Sequence, residues 1–154
     1  MTEKLIYYRA RRYDDIEALT KLLCELYEFD TYEELRLFDE NRARFKDKKQ
    51  AFFLAMDDKT PVGVCHGALR DEYVNGKEHD GTCGYLEAIY VKPTYRGQGI
   101  AATLAALCED WARENGCREI LSDCLLDNTE SFDLHLRLGF VETERAVFFR
   151  KELI

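Results

Sequence analysis

Between Tyr85 and Leu104 the sequence passes from an apolar strand through a glycine loop into a helix. This succession narrows the fold more than any other stretch of the chain. Tyr85 to Val91 are rich in aromatic and β-branched residues, which suit a pleated, half-buried strand. Pro93 ends it, because proline has no N–H to give to a ladder. Gly97 and Gly99 then open a helix whose apolar residues Ile100, Leu104, Leu107, Cys108 and Trp111 recur at helical spacing. Such a junction builds an anion site. Glycines let the backbone approach a phosphate, and the unpaired N–H groups of the first helical turn point at it. With Arg96 on the same loop, a ligand carrying a phosphate or pyrophosphate is expected here.

One nucleotide pattern fits these residues in part. Gly97-Gln-Gly99-Ile-Ala-Ala102 matches G-x-G-x-x-G/A, and Asp123 stands near the place of its supporting acid. The position argues against a dinucleotide fold, which needs several βα units after this turn. Only roughly a third of the chain remains here. A P-loop is excluded, since no Gly-Lys-Ser/Thr follows.

The chain has 154 residues, which points to one domain over residues 1–154 with a sizeable core. No apolar run approaches the ~20 residues that span a bilayer, so no membrane association is expected. Met1-Thr-Glu-Lys-Leu-Ile lacks the basic-then-apolar plan of a secretory signal. The six cysteines, at 24, 65, 83, 108, 117 and 124, form no C-x-x-C pair and several fall at apolar positions. They read as small buried hydrophobes in a reducing, cytoplasmic setting. His66, His79 and His135 are too scattered for a metal site, so none is expected. The net charge of −8 disfavours nucleic acid and favours a cationic partner. Residues 119 to 136 carry Glu119, Asp123, Asp127, Glu130 and Asp133 without a Lys or Arg. Glu130 and Asp133 read as a solvated face. Asp123 ends the strand Glu119–Asp123, where open α/β sheets hold their ligands.

Periodicity along the chain gives the remaining elements. Leu5–Arg9 reads as a strand. Capping boxes at Asp14–Glu17 and Thr31–Glu34 open two helices, the second running to about Lys48. Ala51–Met56 and Val62–Leu69 form a hairpin, and residues 74 to 83 a polar loop. The central strand follows, then a helix over 99 to 115 and a strand over 118 to 124. Asn128 caps a short helix that Gly139 ends, and two strands close the chain, Phe140–Arg145 and Ala146–Glu152. The order β-α-α-β-β-β-α-β-α-β-β predicts an α/β (α+β) fold, a mixed, mostly antiparallel sheet with helices on both faces.

Arg96-Gly-Gln-Gly99-Ile-Ala101, placed between strand and helix, resembles the R/Q-x-x-G-x-G/A motif of the Gcn5-related N-acetyltransferase superfamily. Asn128-Thr-Glu-Ser131 leading to His135-Leu-Arg-Leu-Gly139-Phe140 is similar to that family's next motif. The resemblance implies acetyl-coenzyme A as cosubstrate. It implies that Gly97, Gln98, Gly99, Ile100, Ala101 and Ala102, with Arg96, receive the pyrophosphate. Ile89, Tyr90 and Val91 would pair with the pantetheine arm, the N–H of Ile89 would meet the thioester oxygen, and Asn128 would hold the arm from the other side. Where the family often has a tyrosine to protonate the leaving thiolate, this chain has His135, which either donates that proton or only packs.

Asp71-Glu-Tyr73-Val-Asn-Gly76, Leu86-Glu87, Gly116–Glu119, Ser122-Asp123 and Glu142-Thr-Glu-Arg145 are similar to the aminoglycoside 6'-N-acetyltransferases, in the subgroup that forms homodimers. An acetyltransferase must deprotonate its amine. Glu87, an acid inside an apolar strand two residues before Ile89, is the candidate base, projecting from the face of Ile89. Its alternative role is an ion pair with a neighbouring base. The resemblance implies Tyr27, Tyr73, Glu87, Asp123 and Glu144 around the acceptor, with Asp123 also near the chemistry. The expected activity is acetylation of an aminoglycoside 6'-amine. A polyamine, another small amine or a protein N-terminus are alternative acceptors, and a non-catalytic acetyl-coenzyme A-binding module is the remaining alternative.

Overall fold

Residues Ala51 to Ala55 of strand β2 (Gln50–Asp57) are all buried, and a strand buried on both faces needs cover on both. The computed structural model describes residues 5–154, apart from the side chains at positions 72, 73 and 78–80. Four further strands join β2: β1 (Leu5–Arg9), β3 (Thr60–Val74), β4 (Lys77–Val91) and β5 (Ile120–Leu121). They lie in the order β1-β2-β3-β4-β5. The first four are antiparallel neighbours, and β5 runs parallel to β4. This mixed, mostly antiparallel sheet is the predicted class, and it rules out the doubly wound parallel sheet of a dinucleotide fold.

Helices α1 (Tyr13–Tyr27) and α2 (Thr31–Phe45) cover one face. Leu19, Leu22, Leu23 and Leu37 pack there on Phe52, Leu54, Val64 and Ala88. Each such side chain contributes about 1.5–3 kcal/mol on burial. Helix α3 (Ile100–Glu114) covers the other face at close range. A Cβ at Gly67 would stand 2.5 Å from Cys108 Sγ and 3.2 Å from the Trp111 ring, so this contact admits only glycine. All six cysteines are free thiols, and five of them are buried.

The helix starts shift slightly from the sequence reading. Asp30, not Thr31, caps α2: its Oδ1 accepts from Glu33 N at 2.8 Å. Asp15 accepts from the N–H groups of Arg11 and Arg12 at 3.0 Å and so starts α1 earlier than the expected box.

Larger differences concern strands. The expected polar loop over 74 to 83 is instead a tight hairpin. Asn75 (φ 50) and Gly76 (φ 80) form a two-residue turn, and the charged residues beyond continue β4. The strand expected over 118 to 124 pairs only at Ile120 and Leu121.

The chain divides into two compact units, one ending at Asp123 and one running from Cys124 to Ile154. The second holds α4 (Thr129–Arg137), started by Asn128 Oδ1 accepting from Ser131 N at 3.1 Å. The two closing strands expected over 140–152 do not form. Aromatic and β-branched residues make a segment fit for a strand, but a strand exists only where a neighbour takes up its ladder. Phe148 and Phe149 in this segment are 89% and 91% exposed.

Candidate active site

The glycine loop has the geometry the sequence calls for. A short 3-10 turn, Pro93–Tyr95, carries the chain off β4. Arg96 Nε then donates to Val91 O at 2.9 Å, tying the loop to the strand end. Gly99 is the N-cap of α3 at φ 80, and a Cβ there would meet nothing within 4 Å. Glycine is thus demanded by the backbone and not by crowding, and the space in front of it is open. No acid stands in the first turn of α3, so the N–H groups of Ile100, Ala101 and Ala102 face that space without a competing carboxylate.

Strand β4 has an open edge beside this loop. β5 pairs with it only at Gly84 and Tyr85, so residues 86 to 91 have no strand on that side among the described residues. Open loop, helix start and strand edge together fit a phosphate-bearing ligand with an extended amide arm.

A β-bulge sets the direction of Glu87. His66 faces Ala88 and Gly67 faces Leu86, which leaves Glu87 as the extra residue of β4. Ile89 faces Cys65, whose thiol meets Cys108 of α3. Glu87 instead lines a cavity on the α1/α2 side. The expectation that Glu87 and Ile89 share a face is therefore overturned, because the bulge interrupts the alternation on which it rested. The cavity, of about 230 Å³, is lined by Leu23, Tyr27 and Phe29, by Leu37, Glu40 and Arg44 of α2, and by His66 and Glu87. A second cavity, of about 140 Å³ between β1 and β2, has no carboxylate in its lining and offers no base.

Glu87 is ion-paired. Arg70 Nε and Nη2 both donate to its Oε1, at 3.1 and 2.7 Å. The Arg70 guanidinium also lies 3.5 Å from the centre of the Tyr85 ring. The Tyr85 hydroxyl donates to Asp123 Oδ2 and lies 3.0 Å from Asn75 Oδ1. Burial, reinforced by Asp123, raises the Tyr85 phenol well above its ordinary pKa. The two candidate acids are thus joined through Arg70 and Tyr85, although Asp123 does not line the cavity.

Tyr27 shares the cavity with Glu87 and packs on Phe29 at 5.1 Å. Burial raises its phenol, while Arg44 lowers it and Glu87 raises it further. His66 closes the floor. It stacks on Phe52 at 4.2 Å and its Nε2 lies 2.6 Å from Gln50 Oε1, an arrangement that asks for Nε2–H as donor. Burial, aided by Arg44 and Arg70, pulls its pKa down to about 3, so the ring is neutral at physiological pH.

Asn128, His135 and Glu144 belong to the second unit. Asn128 spends its oxygen on the α4 cap. His135 Nδ1 donates to Ser131 O at 2.6 Å, and its ring meets Phe140 edge-on at 5.3 Å. Glu144 stands in the exposed segment after Gly139. The Tyr73 side chain lies outside the described residues. Arg70, Arg44, His66 and Glu40 were not singled out from sequence. Only Arg70 left a signal: an acid inside an apolar strand calls for a base, and Arg70 ends the neighbouring apolar run.

Comparison with known proteins agrees with this geometry. Residues 16–140 match the model of the acetyltransferase (GNAT) family. An aminoglycoside N(6')-acetyltransferase type 1 of Salmonella typhimurium is 42% identical over 101 residues, which are 66% of this chain and 69% of the relative. The solved aminoglycoside N-acetyltransferase AAC(6')-Iy in complex with CoA superposes with a TM-score of 0.89 at 29% identity, over 99% of this chain and 98% of that one. AAC(6')-Iy in complex with the bisubstrate analogue CoA-S-monomethyl-acetylneamine gives a TM-score of 0.83 at 31% identity, over 97% and 99%.

Proposed function

The chain belongs to the acetyltransferase (GNAT) family, and on that premise we propose that it transfers the acetyl group of acetyl-coenzyme A to the 6'-amine of aminoglycosides. The observation that carries the reading is Glu87, which a bulge turns into a cavity of about 230 Å³ beside the open edge of β4. The names of the relatives supply the acceptor class. Acetyl-coenzyme A supplies a thioester carbonyl for attack by the amine.

The chain's own residues do the rest. Gly97, Gln98, Gly99, Ile100, Ala101 and Ala102 offer N–H groups to the pyrophosphate, with Arg96 fixing the loop. Ile89, Tyr90 and Val91 take the amide arm along the open edge, and the N–H of Ile89 is assigned to the thioester oxygen. Glu87 accepts the amine proton, directly or through a water, on Oε2, since Oε1 already holds both Arg70 bonds. Tyr27 walls the acceptor, and Asp123 and Glu144 are assigned to its cationic groups. Asn128 and His135 are assigned to the cofactor arm.

Residues 1–154 are proposed to act as one domain and as a homodimer. The exposed Val147, Phe148, Phe149 and Leu153 support the pairing of copies, since such a row costs solubility when bare. The free buried thiols support a cytoplasmic setting. No described helix is long and apolar enough to cross a membrane.

The test is acceptor-dependent release of free thiol from acetyl-coenzyme A. Aminoglycosides with a 6'-amine should support release, and matched compounds with a 6'-hydroxyl should not. Release with polyamines or peptides alone would overturn the assignment.

A further inference from the structure

Arg44 raises a question that the proposed activity leaves open. The site should take a cationic acceptor, yet a guanidinium stands in its cavity beside Glu87 and Tyr27. Its position is built. Arg44 Nη1 donates to Asn41 Oδ1 at 2.9 Å, and Asn41 Nδ2 donates to Thr20 Oγ1 at 3.0 Å. Asn41 is 0% exposed and Thr20 1%, on α2 and α1 among Leu19, Leu22, Leu23 and Leu37. Burying a polar pair in that apolar layer is costly unless each group is satisfied, and the outward product of this relay is a fixed guanidinium. Its other neighbour is loose: Glu40 Oε2 stands 3.7 Å from Arg44 Nη2. The nearby imidazole is held neutral and hydrogen-bonded to Gln50, so it offers no negative partner.

The cavity therefore has two poles. Glu87 can receive an ammonium. Arg44 has N–H donors and no acceptor, so it can meet only an oxygen. A sugar hydroxyl satisfies it, whereas Arg44 cannot hydrogen-bond a second ammonium and repels it; Glu40, which lines the same cavity 3.7 Å from Arg44, weakens that repulsion without removing it. Resting on the proposed aminoglycoside activity, we infer that Arg44 is a specificity-determining residue. It reads a hydroxyl on the ring being acetylated and disfavours an amine at that place. The Thr20–Asn41 pair is its positioning device. The acceptor class is thereby refined to rings with one ammonium at the Glu87 pole and hydroxyl oxygens at the other.

The experiment compares kanamycin A with kanamycin B, which differ in a hydroxyl or an amine next to the glycosidic carbon of the 6'-amino ring. Wild type, Arg44→Gln and Arg44→Lys are each measured for kcat/KM by thiol release and for acceptor Kd by calorimetry, with Tm as the check on folding. Arg44→Gln should lower the kanamycin A to kanamycin B ratio about 1.4- to 5-fold, the size of one partly exposed charge interaction. Arg44→Lys, which keeps the charge, should hold the ratio near the wild-type value. An unchanged ratio in Arg44→Gln overturns the inference, and so does an equal loss in both variants, which would make shape and not charge the cause. If Arg44→Gln fails to fold, Arg44→Met serves for the same comparison. Failure of the activity itself reads differently: no thiol release with either compound overturns the proposed function, and the ratio of Kd values then still decides Arg44. Binding of neither compound overturns both.

Discussion

Replacing Arg70 with methionine separates the structural from the catalytic role of the cluster around Glu87. The change removes both bonds to Glu87 Oε1 and the guanidinium over Tyr85, and it keeps most of the apolar stem. The side chains of the pair are 40% and 25% exposed, so the ion pair is worth about 0.2–1 kcal/mol. The contact with Tyr85 adds about 0.5–1 kcal/mol. Together the loss is about 1–2 kcal/mol, which lowers the Tm by roughly 2–8 °C in a chain of this size. Turnover should fall further than stability suggests, because Glu87 loses the partner that fixes its carboxylate. A misplacement of ~1 Å costs on the order of 10²-fold in rate. Glu87→Gln, which keeps the shape but cannot accept the proton, should lower kcat by about 10²–10⁴-fold. Steady-state kinetics on both variants and on the double variant give a cycle. If Arg70 acts through Glu87, adding Arg70→Met to Glu87→Gln should lower kcat little further. Two independent, multiplying losses would refute that coupling, and wild-type turnover in Glu87→Gln at all pH values would refute the base.

Other perturbations test other parts of the site. Gly99→Asp places a carboxylate and a non-glycine residue at φ 80 in front of the α3 N-terminus, and calorimetry should show acetyl-coenzyme A binding abolished in a folded protein. Gly67→Ala forces a methyl against Cys108 and Trp111 and should destabilise by about 1–3 kcal/mol in urea unfolding. His66 is held neutral with a folded pKa of about 3, below its unfolded value of about 6.5, so its stabilisation is complete above the unfolded value. It is lost as pH falls between those values, by about 1.4 kcal/mol per pH unit at most, and a His66→Phe variant should lack this part of the slope in urea titrations. Asp123→Asn should raise the KM for an aminoglycoside about 1.4- to 5-fold, as added salt should, with little change in acetyl-coenzyme A affinity; unaltered kinetics under both would remove Asp123 from acceptor recognition.

Where local chemistry alone dictates conformation, the sequence is a sufficient guide. Gly97 and Gly99 take the positive φ values that a glycine loop requires, Asn128 caps its helix, and the apolar spacing of α3 corresponds to its buried face. Conformation that depends on a distant partner is read less well. Residues 140–152 carry the β-branched and aromatic types that suit strands and yet form none. The charged stretch after Gly76 resembles a loop, but its pairing with β3 makes it strand. In the same way Arg44 and His66 have no local pattern. Their place in the cavity comes from the packing of α2 on the sheet, which brings side chains together from positions far apart in sequence.

The bulge at Glu87 is the geometric detail that sequence alternation does not give. Strict alternation would put Glu87 beside Ile89, on the face that α3 covers. There it would be sealed from any acceptor under a helix packed so closely that it tolerates only glycine at position 67. One extra residue in β4 turns the carboxylate to the α1/α2 side, where Tyr27, Arg44 and His66 form a cavity, and leaves Ile89 in register with Cys65. The same strand then carries two features of the proposed site: residues 86 to 91 have no strand beside them beyond the β5 pairing, among the described residues, and the face toward α1 and α2 carries the acid. A bulge is invisible in composition because it is a mismatch in count between β3 and β4. An acid in an otherwise apolar strand is its one trace in the sequence.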